Sequence, residues 1–305
     1  MQLADLLNTV LPTHAARSLT ELGFIHVEGK DAQKFLQGQV TADVSKVTSG
    51  ASSFGATCTP KGRVISNFLI CQVADEQYLL TLHSSLVEKT LAHFKKYAVF
   101  FKATLTDASD TYAAFSEYAR SLDNDETPQD EYALLHPTQK IGDVLSIQLN
   151  NTYFSETLSI VPAEHLQDKA TTNEEAHRVI SLLTLRPFIE LKDSEEILPQ
   201  WFNMQRNGSI SFTKGCYTGQ EIVARMKYRG KSKKHMALLS SESELTTGMD
   251  VANQEGKVIG TLHDVASFDS SYVAQAILNV DQEELELVML DGKAAELLAL
   301  PYGLD

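Results

Sequence analysis

Residues 214–221 read Lys-Gly-Cys-Tyr-Thr-Gly-Gln-Glu, and residues 225–234 hold six of the chain's 26 basic side chains. Thr218 and Glu221 have the spacing of a capping box, which predicts a helix starting near Gly219. Cys216 then sits just ahead of a helix N-terminus, where amide dipoles favour an anion, and Lys214 adds a positive charge nearby. Both effects favour thiolate over thiol, the reactive form of cysteine. Gly215 and Gly219 free the backbone to turn sharply or to approach a ligand. No acidic residue lies between Glu221 and Glu242, so nothing local neutralises Arg225, Lys227, Arg229, Lys231, Lys233 and Lys234. The plainer alternatives are a cysteine that is a small core residue and a basic run that is a solvated face.

Outward from this stretch the chain reads as mixed α+β, without regular βα alternation. Residues 23–28 predict a strand, 31–37 a helix with Phe35 and Leu36 inward, and 38–44 a loop. Strands at 52–59 and 63–73 meet at Pro60-Lys61-Gly62, where proline presets φ and glycine permits its positive range. A strand at 77–82, a helix at 85–96 with a Ser85–Glu88 capping box, and a strand at 99–105 follow. Residues 121–131 form an acidic loop. Strands come near 143–149 and 153–161, then a helix capped by Thr172 and Glu175 that carries Val179, Leu182 and Leu183. Residues 192–213 lack periodicity and predict a long irregular loop, a kind of segment that often carries function. Short strands at 235–239, 257–263, 272–279 and 284–290, then an Asp291-Gly292 hairpin into 294–299, predict a small β-barrel. The division expected is 1–230, two intertwined α+β subdomains, and 231–305, the barrel.

A chain of 305 residues can bury a large core, and 43% hydrophobic with 22% charged residues is ordinary for a globular protein. The formal net charge is −14, and outside 225–234 only 20 basic residues face 40 acidic ones. That bulk excludes wholesale wrapping of nucleic acid and leaves a polyanion one focused patch. Cys58, Cys71 and Cys216 form no CxxC pair, which suits a reducing cytoplasm and offers no four-ligand metal cluster. No leader and no apolar run of membrane-spanning length is expected.

The peptide 214–221 resembles the signature of the YgfZ family of folate-binding proteins, relatives of the glycine cleavage T-protein. Phe35-Leu-Gln-Gly-Gln-Val-Thr-Ala-Asp-Val44 is similar to that family's N-terminal motif. Lys95-Lys-Tyr-Ala-Val-Phe100, Leu198-Pro-Gln-Trp-Phe-Asn-Met-Gln205, Ile210-Ser-Phe212 and Leu300-Pro-Tyr302 follow in the family's order, so the resemblance runs over nearly the whole chain. It implies a GcvT-like ring of two mixed α/β parts and a C-terminal barrel around a folate channel. It implies tetrahydrofolate binding and a role in maintaining iron–sulfur enzymes, including those that thiolate tRNA. Folate, those client enzymes and tRNA itself are the expected partners, in the cytoplasm and without a membrane.

Within that frame Cys216 is the expected reactive centre, as nucleophile, redox thiol or transient ligand to a partner's iron, with Lys214 as its charge partner or anion clamp. Candidate cofactor contacts are Tyr217 (ring and hydroxyl), Gln220 (paired amide hydrogen bonds), Glu221, Asn203, Gln205, Asn67 and Arg225. Glu221 also reads as the capping acid and as an ion-pair partner for Arg225 one turn on. Lys227, Arg229, Lys231, Lys233 and Lys234 form the anion patch, for a folate glutamate tail, tRNA phosphates or an acidic protein. Two departures from T-proteins stand out. Asn67 occupies the position of their folate-contacting aspartate, and an amide can neither hold negative charge nor act as a base. Arg186-Pro-Phe-Ile-Glu190 replaces a glycine-containing element and leaves Arg186 and Glu190 as further candidates. Three functions therefore compete: a folate-dependent accessory protein, an aminomethyltransferase and an RNA- or protein-binding module.

Overall fold

The computed structural model describes Leu6 and residues 11–120, 133–149, 154–168, 170–229, 232–280 and 287–303. The acidic loop expected at 121–131, Lys231 and the start of the strand expected at 284–290 lie outside the described residues. Strands β1 (His14–Ser18) and β2 (Leu22–Glu28) lead to helix α1 (Ala32–Gln39), and then come β3 (Ala51–Cys58), β4 (Val64–Ala74) and β5 (Gln77–His83). Helix α2 (Val87–Ala98), β6 (Thr104–Asp107), β7 (Tyr112–Arg120), β8 (His136–Ile141), β9 (Val144–Gln148) and β10 (Phe154–Pro162) follow. The helices α3 (Glu174–Leu183) and α4 (Gln220–Arg229) flank the long loop. The chain ends in β11 (Lys234–Ser241), β12 (Asp250–Ala252), β13 (Val258–Phe268), β14 (Ser271–Asn279), β15 (Val288–Leu290) and β16 (Lys293–Leu298).

The first ten strands form one sheet in the order β1-β7-β10-β9-β8-β3-β4-β5-β2-β6, and the last six close into a barrel. β3 and β4 are buried almost throughout because each sheet face meets a different core. Side chains alternate across a strand. Phe68 and Ile70 therefore enter the main core with Phe35 and Phe94, while Leu69 and Cys71 enter a second core with Phe24, Phe54 and Ile160. The barrel has its own interior of Leu239, Val251, Leu262, Ala276 and Leu290, and turns Met236, Leu238, Val273 and Leu298 outward into the main core. That shared packing fixes barrel against body.

Three helix starts differ from the expected capping boxes. Thr172 pairs its backbone with Ala16, so α3 begins only at Glu174, after Asn173 in the left-handed region. The Ser85 hydroxyl is shared between His83 Nδ1 and the Leu191 amide, so a 3-10 turn precedes α2. At α4 the Tyr217 amide donates to Gln220 Oε1 (3.3 Å), and the Thr218–Glu221 reciprocal bonds are absent among the described residues. The strand expected at 99–105 begins only at Thr104, because α2 runs to Ala98 and leaves Val99 and Phe100 exposed. The sequence reading also overlooked β1, β7, β8 and β12.

Candidate functional site

The signature is held by the N-terminal motif it accompanies. Lys214 is buried, and its Nζ donates to the carbonyls of Gln37 (2.7 Å), Val40 (2.7 Å) and Ala42 (2.8 Å) at the C-terminal end of α1. An ammonium has three protons, and all three are taken. The end of a helix, where carbonyls lack partners, suits a cation. Burial pushes the Lys214 pKa down to about 8, against the pull of Asp43. Lys214 is thus a staple between two motifs, with no donor left to clamp an anion or to serve Cys216. The Thr218 amide adds a bond to Gly38 O (3.3 Å).

Two glycines dock this loop on the β3–β4 turn. At Gly219 (φ +84°) a Cβ would lie 2.5 Å from Thr59 O, and at Gly62 (φ +72°) one would lie 2.8 Å from Ile222. Between these anchors Cys216 is exposed, four residues before α4, with no hydrogen-bond partner among the described residues. Cys58 and Cys71 are core thiols whose pKa burial raises to about 12. Tyr217 is buried, and burial raises its phenol pKa.

The expected cofactor contacts are mostly spent on the fold. Asn67 Nδ2 donates to Pro187 O (2.8 Å), and its Oδ1 accepts from the Ile189 amide (2.8 Å), so the amide clasps the 186–190 segment. Asn203 does the same for the barrel, pairing with both backbone groups of Met236 (2.8 and 3.1 Å). Gln205 keeps a buried Oε1 without a partner among the described residues. Gln220 serves the start of α4, while Glu221 and Arg225 are exposed and make no ion pair with each other among the described residues. In the basic run, Lys227 lies over Phe212 and Lys234 over Trp201, Lys233 is exposed, and the Arg229 side chain lies outside the described ones.

A cavity of about 320 Å³ opens where sheet, α3 and barrel meet. None of the signature residues lines it. Its polar groups come from β7 (Ser116, Tyr118), β10 (Glu156), α3 (His177, Arg178), the 186–190 segment (Arg186, Glu190) and the barrel (Asp264, Gln275), with apolar walls from Phe54, Leu158 and Phe188. Glu156 accepts from Ser116 Oγ (3.2 Å) and sits beside the Tyr118 phenol. Burial pushes its pKa up to about 7, although Arg186, Tyr118 and Ser116 all pull it down. His177 lies tilted against Tyr118, ring centres 4.7 Å apart, and burial with the charge of Arg17 pushes its pKa down to about 3. Gln275 donates to Leu182 O (2.8 Å), and its Oε1 has no partner among the described residues. Arg178 and Asp264 close one side with two contacts of 2.8 and 2.7 Å. Arg186 and Glu190 were legible as candidates. Glu156, Tyr118, His177 and Gln275 were not, for they lie on ordinary-looking strands and a helix with no shared motif.

Residues 14–116 match the GCVT N-terminal domain family. The solved glycine cleavage aminomethyltransferase T of Bartonella henselae superimposes with a TM-score of 0.72, covering 96% of this chain and 87% of its own at 16% identity. That likeness establishes a GcvT-like fold. The tRNA-modifying protein YgfZ of Aliivibrio fischeri is 32% identical over 306 residues, 97% of this chain and 94% of its own. The YgfZ of Vibrio atlanticus is 30% identical over 322 residues, 99% and 97% of the two chains. With identity at this level sustained along both partners, the chain belongs to the YgfZ family.

Proposed function

We propose that the chain binds tetrahydrofolate or a derivative in the cavity between sheet, α3 and barrel. We propose further that it serves tRNA modification by maintaining iron–sulfur enzymes in the cytoplasm, with Cys216 as the reactive group. The observation that carries this reading is Glu156, a buried carboxyl in a cavity with aromatic walls. A pterin presents adjacent N–H donors on one edge of a flat ring. Glu156 would accept from that edge, Gln275 Oε1 supplies an unused acceptor, and Phe54 and Tyr118 would flank the ring. The reduced folate would supply one-carbon or redox chemistry. The chain's part is to bind and orient it and to exclude water.

Aminomethyl transfer is the weaker reading. Asn67 is committed as donor to Pro187 O and acceptor from Ile189, a double role an aspartate cannot fill. Cys216 stands on the outer surface, within reach of a partner's thiol or cluster.

Anaerobic calorimetry with tetrahydrofolate tests the cavity. Wild type should bind in the micromolar range, about −8 kcal/mol. Glu156→Gln should lose about 1.5–3 kcal/mol through one charged acceptor. Equal affinity of the two would overturn the site. Cys216→Ala should keep folate binding and lose cellular tRNA thiolation, and full activity would remove the cysteine from the proposal.

A further inference from the structure

Acidic residues outnumber basic ones 40 to 26, so cations in this chain have ready partners. Arg17, Lys46, Lys89, Arg178 and Lys192 take carboxylates. Among the described residues Lys227, Lys234 and Arg63 do not, although Arg63 donates to the backbone carbonyl of Glu196. Lys227 Nζ lies 3.8 Å from the ring centre of Phe212, Lys234 Nζ 4.0 Å from that of Trp201, and the Arg63 guanidinium 5.4 Å from the same indole. Arg63 comes from the β3–β4 turn, which packs on Ile222 of α4, and Gln200, next to Trp201, donates to Val223 O (3.2 Å). The two groups therefore flank one helix. Tyr228 sits edge-on to Phe212, with ring centres 6.3 Å apart, and is 68% exposed. Lys227 and Lys234 of the linear run, joined in space by Arg63, thus lie on aromatic rings and lack carboxylate partners among the described residues.

We infer that this surface docks a single-stranded polynucleotide, its phosphates drawing Lys227, Lys234, Arg63 and Arg225, and its bases stacking on Tyr228 and on rings those cations uncover. The choice of RNA over DNA rests on the function proposed above; the surface itself does not. Bases alternate with phosphates along a strand as rings alternate with cations here, and every base offers a face to stack. Paired bases inside an RNA duplex offer none, and its deep groove admits no side chain. An acidic protein would use the cations and leave Tyr228 idle. The acidic remainder of the chain repels a polyanion and so confines it to this face.

The test uses the full chain, a labelled single-stranded RNA oligonucleotide and fluorescence anisotropy, with emission of Trp201, the only tryptophan, as a second readout. Binding should weaken steeply between about 50 and 200 mM salt, with a slope near −0.7 per phosphate engaged. Emission should change as Lys234 leaves the indole. Tyr228→Ala should weaken binding about tenfold or more, Tyr228→Phe should not, and Lys234→Glu should lower both affinity and salt slope. Single-stranded DNA binding equally well would keep the surface and remove the preference for RNA. No binding at low salt, unchanged affinity in Tyr228→Ala, or equal binding of polyglutamate without a change in emission would overturn the inference. Glu156→Gln should bind RNA as wild type does, which separates this result from failure of the folate site.

Discussion

Glu156 carries a charge whose presence depends on pH near neutrality. Burial lifts its folded pKa to about 7, above the ordinary value of 4.5. Burial thus makes the folded state bind a proton that the unfolded state releases, and the stability this gives is complete below about pH 4.5 and lost as pH rises through 7. Folate should follow the opposite course, since the ionised carboxylate is the better acceptor. Affinity measured between pH 6 and 8 should rise with pH in wild type and stay flat in Glu156→Gln. Lys214 has its own test. Lys214→Met keeps the stem and abandons three carbonyls, so denaturant unfolding should show a loss of about 3 kcal/mol. A loss of activity with stability intact would instead return Lys214 to the chemistry of Cys216.

The β3–β4 turn and the start of α4 meet closely, Gly219 against the Thr59 backbone and Gly62 against the Ile222 side chain, and neither glycine has room for a Cβ. Gly219→Ala should therefore cost several kcal/mol, from the clash with Thr59 O and from strain at φ +84°. Thermal unfolding would register it, and an unchanged midpoint would contradict the packing. The turn at Pro60-Lys61-Gly62 and the two strands it joins were legible because their causes are local. Two of the capping boxes were misread because a partner far along the chain intervenes. Thr172 is claimed by Ala16 of β1, and the Ser85 hydroxyl by Leu191. The basic run was legible as charge, whereas Phe212 and Trp201, which give it form, join only through the fold. The cavity was least legible of all, since its lining runs from Arg17 to Gln275 and shares no motif.

Across the whole molecule, the ten-stranded sheet is uneven. β7 and β10 pair over nine residues, while β3 and β8, which join its halves, pair only at Ala51–Pro137 and Ser52–His136. Proline gives no amide to that ladder. The Thr138 amide to Gly50 O and the Ser52–Thr138 hydroxyl contact add little to the joint. Local opening there leaves each half's own pairing intact and so costs far less than global unfolding. Hydrogen exchange at Thr138 should outrun exchange in β7 and β10. The cavity spans the same joint, with Phe54 on one bank and Glu156 on the other. A ligand touching both acts as a rivet across a breathing seam: it slows exchange at Thr138 in proportion to its occupancy, and that rate becomes a measure of binding that needs no catalytic assay.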